Sequence, residues 1–167
     1  VNWAATYNLR LSAGVGFYDA KLTENYCGEV DASGNPISNC TDPQGPDGTR
    51  LPVTADVKAN VTARYTFDIG EYEAFWQGSL VHEGRRSSDI RTIENTILGE
   101  LPAYQLFDFS AGVRRNNWSV DLYVKNLFDE NAQFSRGVQC PESVCAAQVY
   151  SVPGQPRTIG IKFSQEF

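Results

Sequence analysis

Four cysteines carry the chemistry in this chain that depends most directly on residue spacing. Cys27 and Cys40 form one local pair, and Cys140 and Cys145 form another, both in segments rich in turn-forming residues. Local pairing of cysteines in loops favours two disulfides and an oxidising compartment. Four free thiols or a zinc site are the alternatives, and zinc is disfavoured because there is no Cys-x2-Cys pair and the only histidine, His82, is remote in sequence.

A run of charged side chains is the second group of residues that could bind a ligand. Arg85, Arg86 and Arg91 stand close together in sequence, with Asp89 and Glu94 among them. Guanidinium groups hold anionic oxygens through paired hydrogen bonds, so these three arginines are candidate loop contacts for an anionic ligand. The plainer interpretation of the same run is a solvated loop.

The sequence shows no arrangement that is typical of an enzyme. It contains no nucleophile–base pair, no glycine-rich phosphate loop and no paired-carboxylate spacing. Asp42, Asp47 and Asp56 lack the regular ligand spacing of a calcium loop. The net charge of -6 argues against a nucleic-acid partner, which requires a basic surface. We therefore predict no catalytic residue, no metal, no cofactor and no nucleic acid.

Length and hydropathy limit the class of fold. The chain has 167 residues, enough for one domain. No apolar run approaches the roughly 20 residues that a membrane-spanning helix needs. A membrane barrel is compatible with this, because its strands alternate and dilute the hydropathy signal. The chain starts at Val1 in the middle of a pattern and contains no methionine, which we interpret as a mature, proteolysed or partial form of something longer.

Six segments alternate apolar and polar residues with a period of two, which is typical of β-strands. In the last of them, Ile159, Ile161, Phe163 and Phe167 share one parity, and Lys162 falls on the other. The pattern predicts an all-β, antiparallel fold. After a short stub, the six segments span residues 7–21, 56–67, 72–82, 104–114, 118–125 and 157–167.

Charged residues recur on the polar parity of these strands. In a soluble β-sandwich they would face water, whereas in a large barrel they would line a wet or plug-filled lumen. Aromatic residues near the strand ends favour the barrel, since aromatic rings prefer the membrane interface. The lumen-facing candidates are Arg10, Lys58, Arg64, Asp108, Arg114, Asp121, Lys125 and Lys162.

The connections between the predicted strands alternate strictly between long and short. Outer-membrane barrels place short turns at the periplasmic rim and long loops outside the cell. A compact soluble domain rarely contains structureless loops longer than about 12–15 residues. The lengths therefore favour a transmembrane β-barrel over a sandwich. The predicted extracellular loops span residues 23–54, 83–103 and 128–155, and the short turns span residues 68–71 and 115–117.

Several motifs resemble the C-terminal part of the TonB-dependent outer-membrane receptors, and together they cover essentially the whole chain. The most specific are Asn-Leu-Phe-Asp at 126–129, Pro-Gly-Gln-Pro-Arg at 153–157 and the terminal Phe167. Further matches are Leu-Pro-Ala-Tyr-Gln-Leu-Phe-Asp at 101–108, Gly-Val-Arg at 112–114, Trp-Ser-Val at 118–120, Tyr-Asp-Ala-Lys-Leu at 18–22 and Leu-Pro-Val at 51–53.

The resemblance implies the last six strands, plus a stub, of a plugged barrel of roughly 22 strands. Such receptors sit in the Gram-negative outer membrane and import a scarce nutrient: siderophore-bound iron, haem, cobalamin or a glycan. The implied partners are the remaining barrel strands and the plug, on the same polypeptide or a second chain. The TonB system acts through the plug, and lipid and lipopolysaccharide surround the barrel.

Individual residues gain roles from the same resemblance. Phe167, together with Phe163, resembles the C-terminal signal that the barrel-assembly machinery reads, and a membrane-interface anchor is the simpler role. For Asn126 and Asp129 we expect turn closure, because Asn and Asp side chains hydrogen-bond their own backbone. Two other functions are open: a non-transporting outer-membrane barrel with a structural or partner-binding role, and a soluble β-sandwich binding module.

Overall fold

The computed structural model describes residues 1–138 and 148–166. Within them lie nine β-strands and one short α-helix, α1 (Thr92–Leu98). No helix among these residues has both the length and the apolar character needed to cross a membrane. The strands are β1 (Asn2–Ala4), β2 (Leu9–Phe17), β3 (Val57–Ile69), β4 (Tyr72–Glu83), β5 (Tyr104–Arg115), β6 (Trp118–Lys125), β7 (Gln133–Val138), β8 (Val149–Pro153) and β9 (Thr158–Gln165).

Seven strands form one antiparallel sheet in the order β1-β2-β3-β4-β5-β6-β9. The sheet is a meander, because each strand pairs with the next along the chain until β6, which pairs with β9. The remaining strands, β7 and β8, pair with each other as a separate hairpin. The sheet is open, with β1 and β9 as its edges, as expected of one part of a larger barrel.

The register of the sheet sorts the side chains onto two faces of opposite character. One row runs from Arg10 through Arg64, Gln77 and Ser110 to Tyr123, each residue directly opposite the next. Opposed residues of antiparallel strands point to the same side, and we name this side the polar face. It carries all eight of the charged residues singled out in the sequence: Arg10, Lys58, Arg64, Asp108, Arg114, Asp121, Lys125 and Lys162.

The other side of the sheet, which we name the apolar face, is largely uncovered. Phe17 is 76 % exposed, Ile159 73 % and Leu122 57 %. A β-sandwich would bury such a face against a second sheet. The exposed apolar face therefore argues against the sandwich alternative. It fits the wall of a membrane barrel, whose outer side contacts lipid.

The two ends of the sheet differ in how their strands are connected. At the turn rim, Gly70 and Glu71 join β3 to β4, and Asn116 and Asn117 join β5 to β6. Gly70 and Asn116 adopt φ values of 62° and 53°, which glycine and asparagine tolerate best. At the opposite end, the loop rim, a first, second and third connection span residues 18–56, 84–103 and 126–157.

The predicted antiparallel strand pattern is confirmed, with small changes in the bounds. The first full strand ends at Phe17, and beyond it Lys21 forms only an isolated bridge to Arg50. Two elements are not predicted from the sequence. These are α1 in the second connection and the β7–β8 hairpin in the third.

Candidate functional site

The first connection is folded around a disulfide. Cys27 and Cys40 are joined, and Cys27 is buried. Between them, the Asp31 carboxylate accepts hydrogen bonds from the N–H groups of Ser33 and Asn35, each at 2.8 Å. The hydrogen bonds from Asn35 contribute most to lowering the pKa of Asp31 below its ordinary value. The enclosed segment is therefore a closed, hydrogen-bonded turn.

Charged side chains of the second connection pair with one another. Arg91 donates to both carboxylate oxygens of Asp89 at 3.0 Å, and another of its nitrogens lies 2.7 Å from the Glu94 carboxylate. Burial opposes ionisation of Asp89, but the hydrogen bonds from Arg91 outweigh it and lower the pKa of Asp89. The same hydrogen bonds raise the pKa of Arg91. Two carboxylates thus already share this guanidinium.

Hydrogen bonds tie the first connection to the second. The N–H of Thr92, at the start of α1, donates to the carbonyl oxygen of Gln44 at 2.8 Å, and the N–H of Val53 donates to that of Ser87 at 2.9 Å. The Ser87 hydroxyl in turn donates to Oδ1 of Asn95, within α1, at 2.9 Å. These contacts fix α1 against the segment that precedes β3.

A buried arginine joins the second connection to the third. Arg86 is 3 % exposed, donates to the carbonyl oxygen of Gln133 at 2.7 Å and lies 3.7 Å from the Glu83 carboxylate. From the third connection, Arg136 donates to the carbonyl oxygen of Leu98, at the end of α1, at 2.9 Å. The three connections therefore form one linked structure, which we name the loop layer.

Asn126 holds the start of the third connection in place. It is 4 % exposed, and its N–H donates to the Asp108 carboxylate at 2.8 Å. Its side-chain amide donates to the carbonyl oxygens of Glu130 at 2.9 Å and Gln155 at 3.0 Å, while Oδ1 accepts from the N–H of Glu130 at 2.8 Å. The side chain closes its own turn, as expected, and also binds the segment that leads into β9.

Asp129 makes the second link between the same two segments. Its backbone adopts a φ of 57°, and its carboxylate accepts a hydrogen bond from the N–H of Arg157 at 2.9 Å. The two sequence motifs that carry the family resemblance are therefore in direct contact. Their contact fixes where β9 begins beside β6.

The polar face presents guanidinium, amide and carboxylate groups beside aromatic rings. The Arg64 guanidinium lies 3.6 Å above the centre of the Phe75 ring and donates to the Gln77 side chain at 3.2 Å. Near the turn rim, Arg114 lies 3.7 Å from the Glu166 carboxylate. Such groups recognise a ligand or a protein surface by charge and hydrogen bonding.

The other residues singled out in the sequence differ in their surroundings. Arg85 is exposed, Arg91 is half-exposed and paired, and Arg86 is buried among protein partners. Phe163 is 65 % exposed on the apolar face. The cysteines of the second predicted disulfide and the terminal aromatic lie outside the described residues: Cys140, Cys145 and Phe167.

Sequence analysis does not identify Asn95 and Arg136 as structural links of the loop layer. Arg136 binds a main-chain carbonyl group of Leu98, far away along the chain, whereas Asn95 accepts a hydrogen bond from the Ser87 hydroxyl within the same connection. No local motif marks such a contact. The sequence offers one weak signal, since Arg136 is the one charged residue in the segment Gln133–Val138.

Comparisons with known proteins identify the family. The family model described as TonB dependent receptor-like, beta-barrel matches residues 1–127. No curated protein matches the chain. The crystal structure of BauA, the ferric preacinetobactin receptor from Acinetobacter baumannii, resembles it with a TM-score of 0.66 at 17% identity, over 99% of this chain and 21% of that one. Since the family model covers most of the sequence, the chain belongs to the TonB-dependent receptor-like β-barrel family.

Proposed function

We propose that this chain is the C-terminal part of the barrel of a TonB-dependent receptor that imports a scarce nutrient across the outer membrane of a Gram-negative bacterium. The observation that carries the proposal is the register of the seven-stranded sheet. It separates a largely apolar, exposed face from a face that carries the eight charged residues named above. A barrel wall between lipid and a wet lumen requires this separation.

The orientation follows from the connections. Short turns belong at the periplasmic rim of an outer-membrane barrel and long loops at the extracellular rim. The turn rim then faces the periplasm, and the loop layer faces the outside, where it admits or binds the substrate. The polar face lines the lumen and contacts the plug, through which the TonB system supplies energy.

Further β-strands are needed to close the barrel. An open sheet in lipid leaves unpaired N–H and C=O groups along both edges, each costing several kcal/mol. The remaining barrel strands must therefore cover β1 and β9, whether they belong to the same polypeptide or to a second chain. Lipopolysaccharide surrounds the extracellular half. Phe163, exposed on the apolar face, is the aromatic group that we propose for contact with the barrel-assembly machinery.

Siderophore-bound iron is the substrate class that we favour over haem, cobalamin and glycans. The structural neighbour BauA is named as a receptor for ferric preacinetobactin, an iron complex. Arg85, exposed in the loop layer, is the ligand contact that we propose first, and Arg91 is second because Asp89 and Glu94 already share its charge. Arg86 is instead an internal link of the loop layer.

The test uses the complete receptor that contains this chain, expressed in a Gram-negative host lacking its own iron receptors. The receptor is expected in the outer-membrane fraction, with heat-modifiable migration on gels. It should restore growth on ferric siderophores in a TonB-dependent manner. Growth restored equally without TonB, or an outer-membrane protein that takes up no nutrient of the four classes, would refute transport. The latter result would favour a structural or partner-binding barrel.

A further inference from the structure

We propose that the turn rim carries a binding site for a phospholipid with a zwitterionic headgroup, phosphatidylethanolamine. The site consists of a charged cluster at the rim and an apolar groove that leads away from it on the same face of the sheet. The proposal rests on the membrane orientation given under the proposed function. It adds a ligand to a surface that would otherwise only face bulk lipid.

The charged cluster lies on the apolar face, where a charge is unexpected. Arg115 is opposite Trp118 in the register, which places its guanidinium among the apolar side chains. It pairs with Glu71, lies 3.4 Å from the Tyr72 hydroxyl and stands 5.2 Å from the centre of the Tyr72 ring. The Tyr72 and Trp118 rings meet edge to face at 6.0 Å. Tyrosine and tryptophan prefer the level of the lipid headgroups.

The groove begins next to this cluster. Its floor is formed by small side chains, Ala74 and Ala111, and Ala74 is only 3 % exposed. Ala74 is two residues from Tyr72 on the same face of β4, a rise of about 7 Å along a strand. Larger side chains form the walls: Phe67, Ile69, Trp76, Val120 and Leu122. A groove of this kind holds an acyl chain and aims it at the rim.

The charges of the cluster match one headgroup better than others. A guanidinium carries five N–H groups, and the contacts to Glu71 and Tyr72 use two of them, so three can bind phosphate oxygens. Glu71 is 74 % exposed at its side chain and can accept hydrogen bonds from an ammonium group. Phosphatidylethanolamine supplies both the phosphate and an ammonium with N–H donors. Phosphatidylglycerol lacks the ammonium, and phosphatidylcholine lacks its N–H donors.

The experiment measures lipid retained by the complete receptor after delipidation and incubation with each of these three phospholipids, by native mass spectrometry. Arg115→Gln should reduce retention of phosphatidylethanolamine by about tenfold, the effect of losing a charged hydrogen bond. Arg114→Gln is the matched control, because Arg114 is the adjacent arginine on the polar face, and it should leave retention unchanged. Glu71→Gln should remove the preference for phosphatidylethanolamine over phosphatidylglycerol.

The groove has its own test. Ala111→Leu fills the floor and should reduce retention of all three lipids, whereas Ala13→Leu, an equal change elsewhere on the apolar face, should not. Equal retention by the wild type, Arg115→Gln and Ala111→Leu proteins would overturn the site. Heat-modifiable migration verifies that each variant is folded, and nutrient uptake is measured in parallel. Normal TonB-dependent uptake with no lipid preference overturns this site alone, and uptake without TonB overturns the transport proposal.

Discussion

Asn126 shows how one side chain can organise a long connection. Its backbone adopts a left-handed conformation, with a φ of 49°, and its side chain uses both amide hydrogens and the oxygen. The turn closure could be predicted, because asparagine tolerates this conformation and hydrogen-bonds locally. The hydrogen bond to Gln155 could not be predicted, because it joins the two ends of the third connection and depends on which strand β9 pairs with.

Replacing Asn126 should destabilise the receptor. Asn126→Ala removes three hydrogen bonds made by a buried side chain, and we expect a loss of about 3 kcal/mol, since each such bond contributes about 1 kcal/mol. Urea unfolding in detergent measures the loss. Asn117→Ala removes one exposed hydrogen bond, to the Glu166 carbonyl, and should cost well under half as much. Similar losses in both variants would contradict the assigned role.

The Asp89–Arg91 pair makes the loop layer sensitive to acid. The folded state lowers the pKa of Asp89 below its ordinary value of 3.8. Its stabilising contribution is therefore complete above pH 3.8 and is lost as the pH falls through the lower, folded-state value. Hydrogen exchange of α1, corrected for intrinsic rates, should be constant from pH 7 to 5 and rise below pH 4. Asp89→Asn should remove this acid-dependent step, and an unchanged step would show that another group causes it.

At the scale of elements, the strands were predictable and the additions to the loops were not. In a strand with one apolar and one polar face, apolar residues recur at every second position, so the six segments could be predicted from the sequence. α1 has seven residues, too few for an independently stable helix, and it is fixed by Gln44 and Ser87 of other segments. The β7–β8 hairpin has a register shift near Gln133, which breaks the alternation that marks a strand.

Arg86 provides a test of the linked loop layer. Arg86→Leu removes the hydrogen bond to Gln133 and leaves Glu83 without one of its cationic neighbours. We expect β7 to open more easily by about 2–3 kcal/mol, as for the loss of a hydrogen bond to a charged group. Hydrogen exchange of residues Gln133–Val138 measures this opening. Arg85→Leu, at the exposed neighbouring position, should leave the exchange of β7 unchanged, and an equal effect would mean that Arg86 is not a specific link.

At the scale of the whole molecule, the faces of the sheet define the barrel wall better than any single residue does. Ile161 and Lys162 are adjacent in β9 but lie on opposite faces, opposite Leu122 and Asp121 of β6. The sequence predicted this division because strand periodicity is a local property. It could not show the seven-strand order or the closeness of the two motifs, since both depend on long-range pairing.

A lysine introduced on the apolar face should reduce assembly of the receptor, whereas a lysine introduced on the polar face should not. Ile161→Lys puts an ammonium on the apolar face, and in the middle of a lipid bilayer this costs about 2–4 kcal/mol. The amount of assembled receptor in outer membranes should fall. Ser164→Lys places the same group on the polar face of the same strand and should be tolerated. Equal assembly of the two variants would mean that the apolar face does not contact lipid.

The hydrogen bonds that join the three connections restrict how such a receptor can be diversified. Gln44, Ser87 and Gln133 contribute main-chain carbonyl groups to these links. A loop transferred from a related receptor must therefore reproduce the backbone geometry as well as the side chains. Chimeras that graft one loop from a relative would break contacts in its neighbours, whereas grafts of all three together would preserve them. Changes of specificity by recombination should therefore proceed through exchange of the entire set.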